Sequence, residues 1–310
     1  MCIRDRGTPG YPGIGACGAG TGTGSGQVTT CKNITLEGLA LDVSSAIDSA
    51  VGGYGAAGIG GGFGISEVSN ITIDGCTTYD DYSENIKGGI GSAAIGSGRM
   101  TNTTDVSVSN IVIKDSTIKA VGGAASAGIG AGANGYGGDS SEGGTTVSNI
   151  TIVGSDVEAE ASSYSAGIGA GPCENGAVSV SDISIKGSFV RAWGDQSGAG
   201  IGSSWAAGNN AVSNITIVDS KVGSFSDTGG PGIGSGYSDT GNSSLSNVLI
   251  TGGSIVGAWG GDSETPENGG AIGAGPGIGS GHADQGNSTV SDVVIDDRAQ
   301  VEASAGDDED

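Results

Sequence analysis

The sequence predicts an all-β chain, a single-stranded right-handed parallel β-helix of about eight triangular coils. Three observations carry this. The phrase Asn-Ile-Thr-Ile, then Gly-Ser-x-Val-x-Ala, a looser stretch and Gly-Ile-Gly recurs eight times. Its anchors are Asn33, Asn70, Asn110, Asn149, Asp182, Asn214, Asn247 and Asp292. Self-similarity at steps of 32 to 45 residues is the mark of a solenoid. The second observation is four apolar columns that share this period. The third is punctuation by Gly, 66 of 310 residues and roughly three times the usual share, around β-branched strands rather than through low-complexity sequence.

One coil shows how each element is read. Ser148 and Asn149 are placed at a corner, where Asn tolerates the left-handed region and can bond its equivalents above and below. Ile150-Thr151-Ile152 alternates, so both Ile side chains point inward and Thr151 outward. Gly154-Ser155 makes a second corner. Val157-Glu158-Ala159-Glu160 is a second strand, with Val157 and Ala159 inward. After a variable loop, Ala166-Gly167-Ile168-Gly169-Ala170-Gly171 supplies a third short strand with Ile168 inward. Stacked on their period, the inward positions run from Ile34 to Val293, Leu36 to Ile295, Leu41 to Val256 and Ile14 to Ile278. At about 4.8 Å per coil, eight coils make a rod roughly 40 Å long. Leu41 to Val51 has some helical character and falls in a variable-loop slot, as does the insertion from Asp262 to Gly275 in the longest step. The right hand follows the rule for parallel crossovers.

Three segments are distinguished. Residues 1–6 read as translated sequencing-adapter DNA and are set aside from the fold. Residues 7–304 form the repeat domain, and residues 305–310 form an acidic tail. No end cap is recognisable, so open coils are expected to associate end to end.

Composition removes several function classes. Acidic residues number 34 and basic residues 11, a formal net charge of −23. Nucleic acid and anionic membrane surfaces need Lys and Arg clusters that this chain lacks, and no apolar run reaches the roughly 20 residues of a membrane span. Apart from Cys2, the cysteines lack metal-ligand spacing. Cys17 and Cys31 bracket one loop and could pair in a secreted protein; the other reading makes the cysteines small apolar residues.

Catalytic chemistry finds no constellation. Asp80-Asp81 and Asp296-Asp297 are neighbours that a strand would point to opposite faces. The single histidine, His282, is read as having no partner. No metal centre is expected. Corner and loop carboxylates (Asp139, Glu142, Asp195, Asp227, Asp239, Asp262 and Glu264) leave only weak structural Ca²⁺ open. An outward Thr ladder at Thr35, Thr72, Thr151 and Thr216 is interrupted by Val112, Ser184, Leu249 and Val294, which breaks the lattice an ice-binding face requires.

Aromatic residues are the exception to the repeat. Three positions beyond the second-strand apolar residue stand Trp193, Phe225 and Trp259, in consecutive coils. Four positions beyond the Gly-Ile-Gly isoleucine stand Trp205, Tyr237 and His282, again in consecutive coils; Phe63 is an earlier instance. All three Trp residues fall in these two columns. An outward aromatic strip suits stacking against sugar rings. The alternative is a satellite cluster in which the rings cover backbone or one another.

The segments AGIGAG (Ala166–Gly171) and SNITIVGS (Ser148–Ser155) resemble the Gly-rich β-helix repeats of large secreted or wall-anchored bacterial surface proteins, common in gut Firmicutes. The resemblance covers about residues 10 to 304. It implies a non-catalytic, extracellular, adhesin-like segment, a stalk or a glycan-contacting surface. It carries over no catalytic residue and no cofactor. Its implied partners are glycans or neighbouring cell-surface molecules.

Overall fold

A computed structural model describes residues 2–6, 12–16, 30–44, 55–78, 85–100, 105–135, 143–263, 273–296 and 298–307. The described chain is all-β. Its strands form three parallel sheets of 10, 8 and 8 strands, each built from successive coils in a solenoid-like stack. The first sheet takes one strand per coil from Thr30–Glu37 to Ser288–Ile295. The second holds strands such as Asp156–Glu160, and the third holds pieces as short as Ile168–Gly169.

Register is the decisive result. Ile150 pairs with Ile183 and Ile152 with Ile185, one coil apart. Val157 pairs with Val190, and Ile168 with Ile201. These side chains are fully or almost fully buried and fuse into one core running along the stack. Period-two alternation, one face in and one out, generates this from the sequence alone. Thr151 and Ser184 face out in the same rungs.

The first strand is longer than expected. Asn149 lies inside Thr145–Val153, not at its start. All eight anchors have positive φ, for example 57° at Asn149 and 59° at Asp182. Each anchor bends the strand, so that Val147 and Ile150, on either side of Ser148-Asn149, both point inward. A further apolar column follows from this, running from Cys31 through Val68, Val108 and Val147 to Val290. Outside the bend the anchors bond along the stack. Asn70 Nδ2 donates to Asn33 Oδ1 at 2.9 Å, and Asn214 Nδ2 to Asp182 Oδ1 at 3.0 Å.

The second corner is closed by hydroxyls. Ser155 is buried, and its N–H donates to Ser188 Oγ at 3.2 Å while Ser188 N–H donates to Ser220 Oγ, also at 3.2 Å. Cys76 opens this column by donating its N–H to Ser116 Oγ. Buried polar groups thus find partners one coil away. Cys31 Sγ donates to Gly60 O at 3.1 Å within the core. Cys17, its proposed disulfide partner, lies outside the described residues.

Ala40–Ser44 is a strand with Leu41 inward, as its column predicts, so the variable-loop slot given to Leu41 to Val51 is corrected over its described part. The inward burial of Leu41 and Val43 outweighs local propensity there. The leader Cys2–Arg6, set aside from the fold, pairs parallel with Ala40–Ser44 as a further rung of the second sheet. At the other end, Val290, Val293 and Ile295 occupy inward columns yet are 51%, 38% and 46% exposed, with no described residue stacked beyond them.

The third strand tolerates only glycine at one position per coil. At Gly169, φ is +140°, and a Cβ would lie 1.7 Å from the Gly202 carbonyl oxygen. At the corner Gly187, φ is +57° but nothing lies within 4 Å of a Cβ. Gly187→Ala should therefore cost only about 1–2 kcal/mol, the left-handed penalty. Gly169→Ala should cost clearly more, because two backbones must separate. Urea unfolding of both variants checks this; equal costs would contradict the coil-to-coil contact.

Candidate functional site: an aromatic groove on the second sheet

The outer face of the second sheet carries three columns. Nearest the second corner run Asp156, Phe189, Lys221, Ile255 and Gln300. The middle column is Glu158, Arg191, Gly223, Gly257 and Glu302. The far column is Glu160, Trp193, Phe225, Trp259 and Ser304. In its early coils this face is an ion-pair surface. Lys119 Nζ meets both Glu158 and Glu160, and Arg191 Nη2 lies 3.1 Å from Glu158. Burial alone would lower the Lys119 pKa, but the hydrogen bonds and charges of Glu158 and Glu160 hold it above its ordinary value. Burial likewise opposes ionisation of Glu158, and the bond from Lys119 leads the effects that pull its carboxyl below the ordinary range.

Two coils further on the face turns apolar. Trp193 and Phe225 stack with centroids 5.8 Å apart and planes 14° from parallel. Phe225 and Trp259 stack at 4.4 Å and 6°. The sequence-derived strip is thus in register, but the expected row of outward ring faces is replaced by a ladder. Phe225 has an indole on each side. The faces turned away from the ladder are those of Trp193, toward the rung of Glu160, and of Trp259, toward the rung of Ser304.

Glycines in the middle column make room for the rings. A Cβ at Gly257 would lie 2.0 Å from Trp259 Cη2, and one at Gly223 would lie 3.0 Å from Phe225 Cε2. The rings fold back over these bare positions. Beside them lies a groove of about 480 Å³, within the roughly 300–1,000 Å³ of ordinary ligand sites. Its wall is the ring ladder. Phe189, Arg191 and Lys221 stand at one end, Gln300 and Glu302 at the other. The Arg191 guanidinium lies 4.9 Å from the Phe189 ring centre and Lys221 Nζ lies 5.5 Å from it. Beyond Trp193 a smaller cavity of 350 Å³ is lined by Glu160, Asp195 and Asp227.

The second predicted column is only partly assembled. Tyr237 and His282 stack at 5.7 Å and 25°. Trp205 turns instead to Tyr164, at 6.4 Å and 56°, and its Nε1 donates to Asp239 at 2.7 Å. His282 does have a partner, since its Nε2 lies 3.0 Å from Asp284. The phenol of Tyr237 is pushed up, first by burial and then by its bond to Asp284. Burial also pushes the Asp239 carboxyl up, against the bond from Trp205. The polar edges of this column are therefore satisfied by the protein itself, and it lies away from the groove. Phe63 is buried.

Two of the loop carboxylates bind backbone N–H groups. Asp195 Oδ2 accepts from Ser163 N–H at 2.7 Å, and Asp262 Oδ1 from Asp307 N–H at 2.8 Å. Among the described residues no three His, Cys, Asp or Glu side chains converge as a metal site would require. Asp80, Asp81, Asp139, Glu142, Glu264 and Asp297 lie outside the described residues. No described helix is long and apolar enough to cross a membrane.

Lys221, Arg191, Phe189 and the two glycines were missed in the sequence. Their signal was available: the residue after the second-strand valine changes from charged (Glu158, Arg191) to glycine (Gly223, Gly257) in the two coils that carry Phe225 and Trp259.

No family model matches the chain, and no curated protein or solved structure matches it.

Asp296 is a corner group. Thr251 Oγ1 donates to its Oδ2, and the N–H groups of Arg298 and Ala299 donate to its Oδ1 at 3.0 and 3.3 Å. These bonds, that from Thr251 first, lower its pKa from 3.8 to about 2. A depressed folded pKa stabilises above the ordinary value and is lost as pH falls through the folded one. Asp296→Asn should thus flatten stability between about pH 4 and pH 2 and leave its slope near neutrality unchanged. Thermal melts across that window read the difference; identical slopes would refute the corner role.

Proposed function

We propose that this chain is a non-catalytic segment of a bacterial cell-surface protein, displayed outside the cell. It is a single-stranded right-handed parallel β-helix that serves as a rigid scaffold and adheres to saccharides through the groove beside Trp193, Phe225 and Trp259. The observation that carries this reading is local. Over most of the second sheet the outer columns are polar, and in three adjacent coils they become rings, glycines and a cavity. A structural stalk has no need of that departure, and apolar surface in a concave setting marks a contact site. Sugar rings present flat C–H faces that match indole. The resemblance to Gly-rich surface repeats supports the extracellular location, and the rule for parallel crossovers supports the hand.

A glycan array separates adhesion from a purely structural role. The unmodified protein should bind a subset of glycans. Trp259→Ala should abolish that signal, and Trp193→Ala should weaken it several-fold, while the Trp205→Ala signal stays near that of the parent. Loss of one well-placed aromatic contact is worth about 1–3 kcal/mol, or roughly 5- to 150-fold in affinity. An array with no signal, or one indifferent to Trp259, would reject the reading. Release of reducing ends from pectin or alginate would reject its non-catalytic part.

A further inference from the structure

We propose that the groove selects a carboxylate-bearing saccharide, whose acidic group is held by Lys221 while its ring lies against the aromatic ladder. This rests on the saccharide-binding reading above and names the ligand class.

The argument begins with how the cations of this acidic chain are used. Lys32 pairs with Glu67, Lys114 with Asp74 and Asp115, and Lys119 with Glu158 and Glu160. Lys87, Lys186 and Lys221 have no carboxylate partner among the described residues, and of these three only Lys221 lines the groove. Its rung neighbours are Phe189 and Ile255, both apolar. It is exposed, lines the groove and holds its ammonium near the Phe189 face. A cation so placed has its electrostatic demand unmet, and apolar neighbours strengthen its attraction for an incoming anion. Arg191 adds a second positive group at the same end, with one nitrogen already on Glu158. Its Nε is buried without a partner.

The other end has opposite chemistry. Gln300 and Glu302 lie on the last rung of the groove. Gln300 stands two rungs from Lys221 in the same column, about 10 Å along the stack. Glu302 would repel a carboxylate and accept hydroxyl protons. The ligand is thereby oriented, with its acid toward Lys221, its ring along the ladder and its hydroxyls toward Gln300 and Glu302. The net charge of −23 does not forbid an anion. At physiological salt, charges more than about 8 Å away are largely screened, and Lys221 is the nearer group.

Titration of the intact chain with trigalacturonate and with its methyl ester, followed by tryptophan fluorescence and calorimetry, tests the proposal. The acid should bind about tenfold tighter than the ester, the size of one charge-assisted hydrogen bond. Lys221→Gln should remove that preference and leave ester binding unchanged, and Lys221→Arg should restore most of it. Lys186→Gln, on the first sheet, makes the same change in net charge and should have no effect. Equal binding of acid and ester, or an equal loss in the Lys186 variant, overturns the acidic-sugar assignment while saccharide binding stands. Tight binding of poly-glutamate also overturns it, in favour of an anionic peptide. Silence toward both sugars, together with an empty glycan array, overturns the saccharide reading itself.

Discussion

Among the described residues, the strands of the interior coils pair in parallel with the coils above and below. Most of their N–H and C=O groups find partners only there, so the stack must stay in register or leave polar backbone unpaired. A slip of one residue would also turn each inward isoleucine outward. Ile150 on Ile183, Val157 on Val190 and Ile168 on Ile201 express that one constraint on three faces. The Asn ladder and the serine ladder are its consequences at the corners. In the first, an Asn amide donates to the equivalent side chain a coil away; in the second, a Ser backbone N–H donates to the hydroxyl of the equivalent Ser.

The same constraint explains how much could be read in advance. Inward columns were legible because burial demands the same residue type at the same position in each coil. The hidden features are those in which geometry does not change residue type. Asn149 is polar and lies beside a serine, which reads as a strand boundary; in fact a single left-handed residue bends a continuous strand. Val147 was passed over for that reason, and Cys31 was weighed as a disulfide partner when its position is also that of the first member of the Val147 column. His282 reads as solitary in the sequence because nothing in the repeat marks Asp284, two residues on, as its partner.

The aromatic columns show the limit most clearly. Counting positions placed Trp193, Phe225 and Trp259 one above another, and the structure agrees. Counting could not show which way the rings lie. That depends on Gly223 and Gly257, whose missing side chains let the rings fold across the sheet and meet face to face. The same turn produces the groove, because rings held upright over a fully substituted column would leave no cavity beside them. In the second column the residues two before Trp205, Tyr237 and His282 are Ser203, Ser235 and Ser280 rather than glycines, and Trp205 and His282 settle on Asp239 and Asp284.

A solenoid can carry a site of this kind at little cost in stability. Along the second sheet the inward residues Val190, Ala192, Val222, Val256 and Ala258 keep the core pattern and are buried. Ser224, the polar member of that file, gives its hydroxyl to Gly232 O at 2.6 Å. Outward residues alternate with these, so Arg191, Gly223 and Gly257 can differ while the rungs stay aligned. Substitution there changes surface chemistry without opening a cavity in the core, one source of large destabilisation. Departure from the repeat on the outer face, with the inner face unchanged, therefore marks residues that the fold does not require, and among the described residues the ring-and-glycine patch beside Lys221 is such a departure.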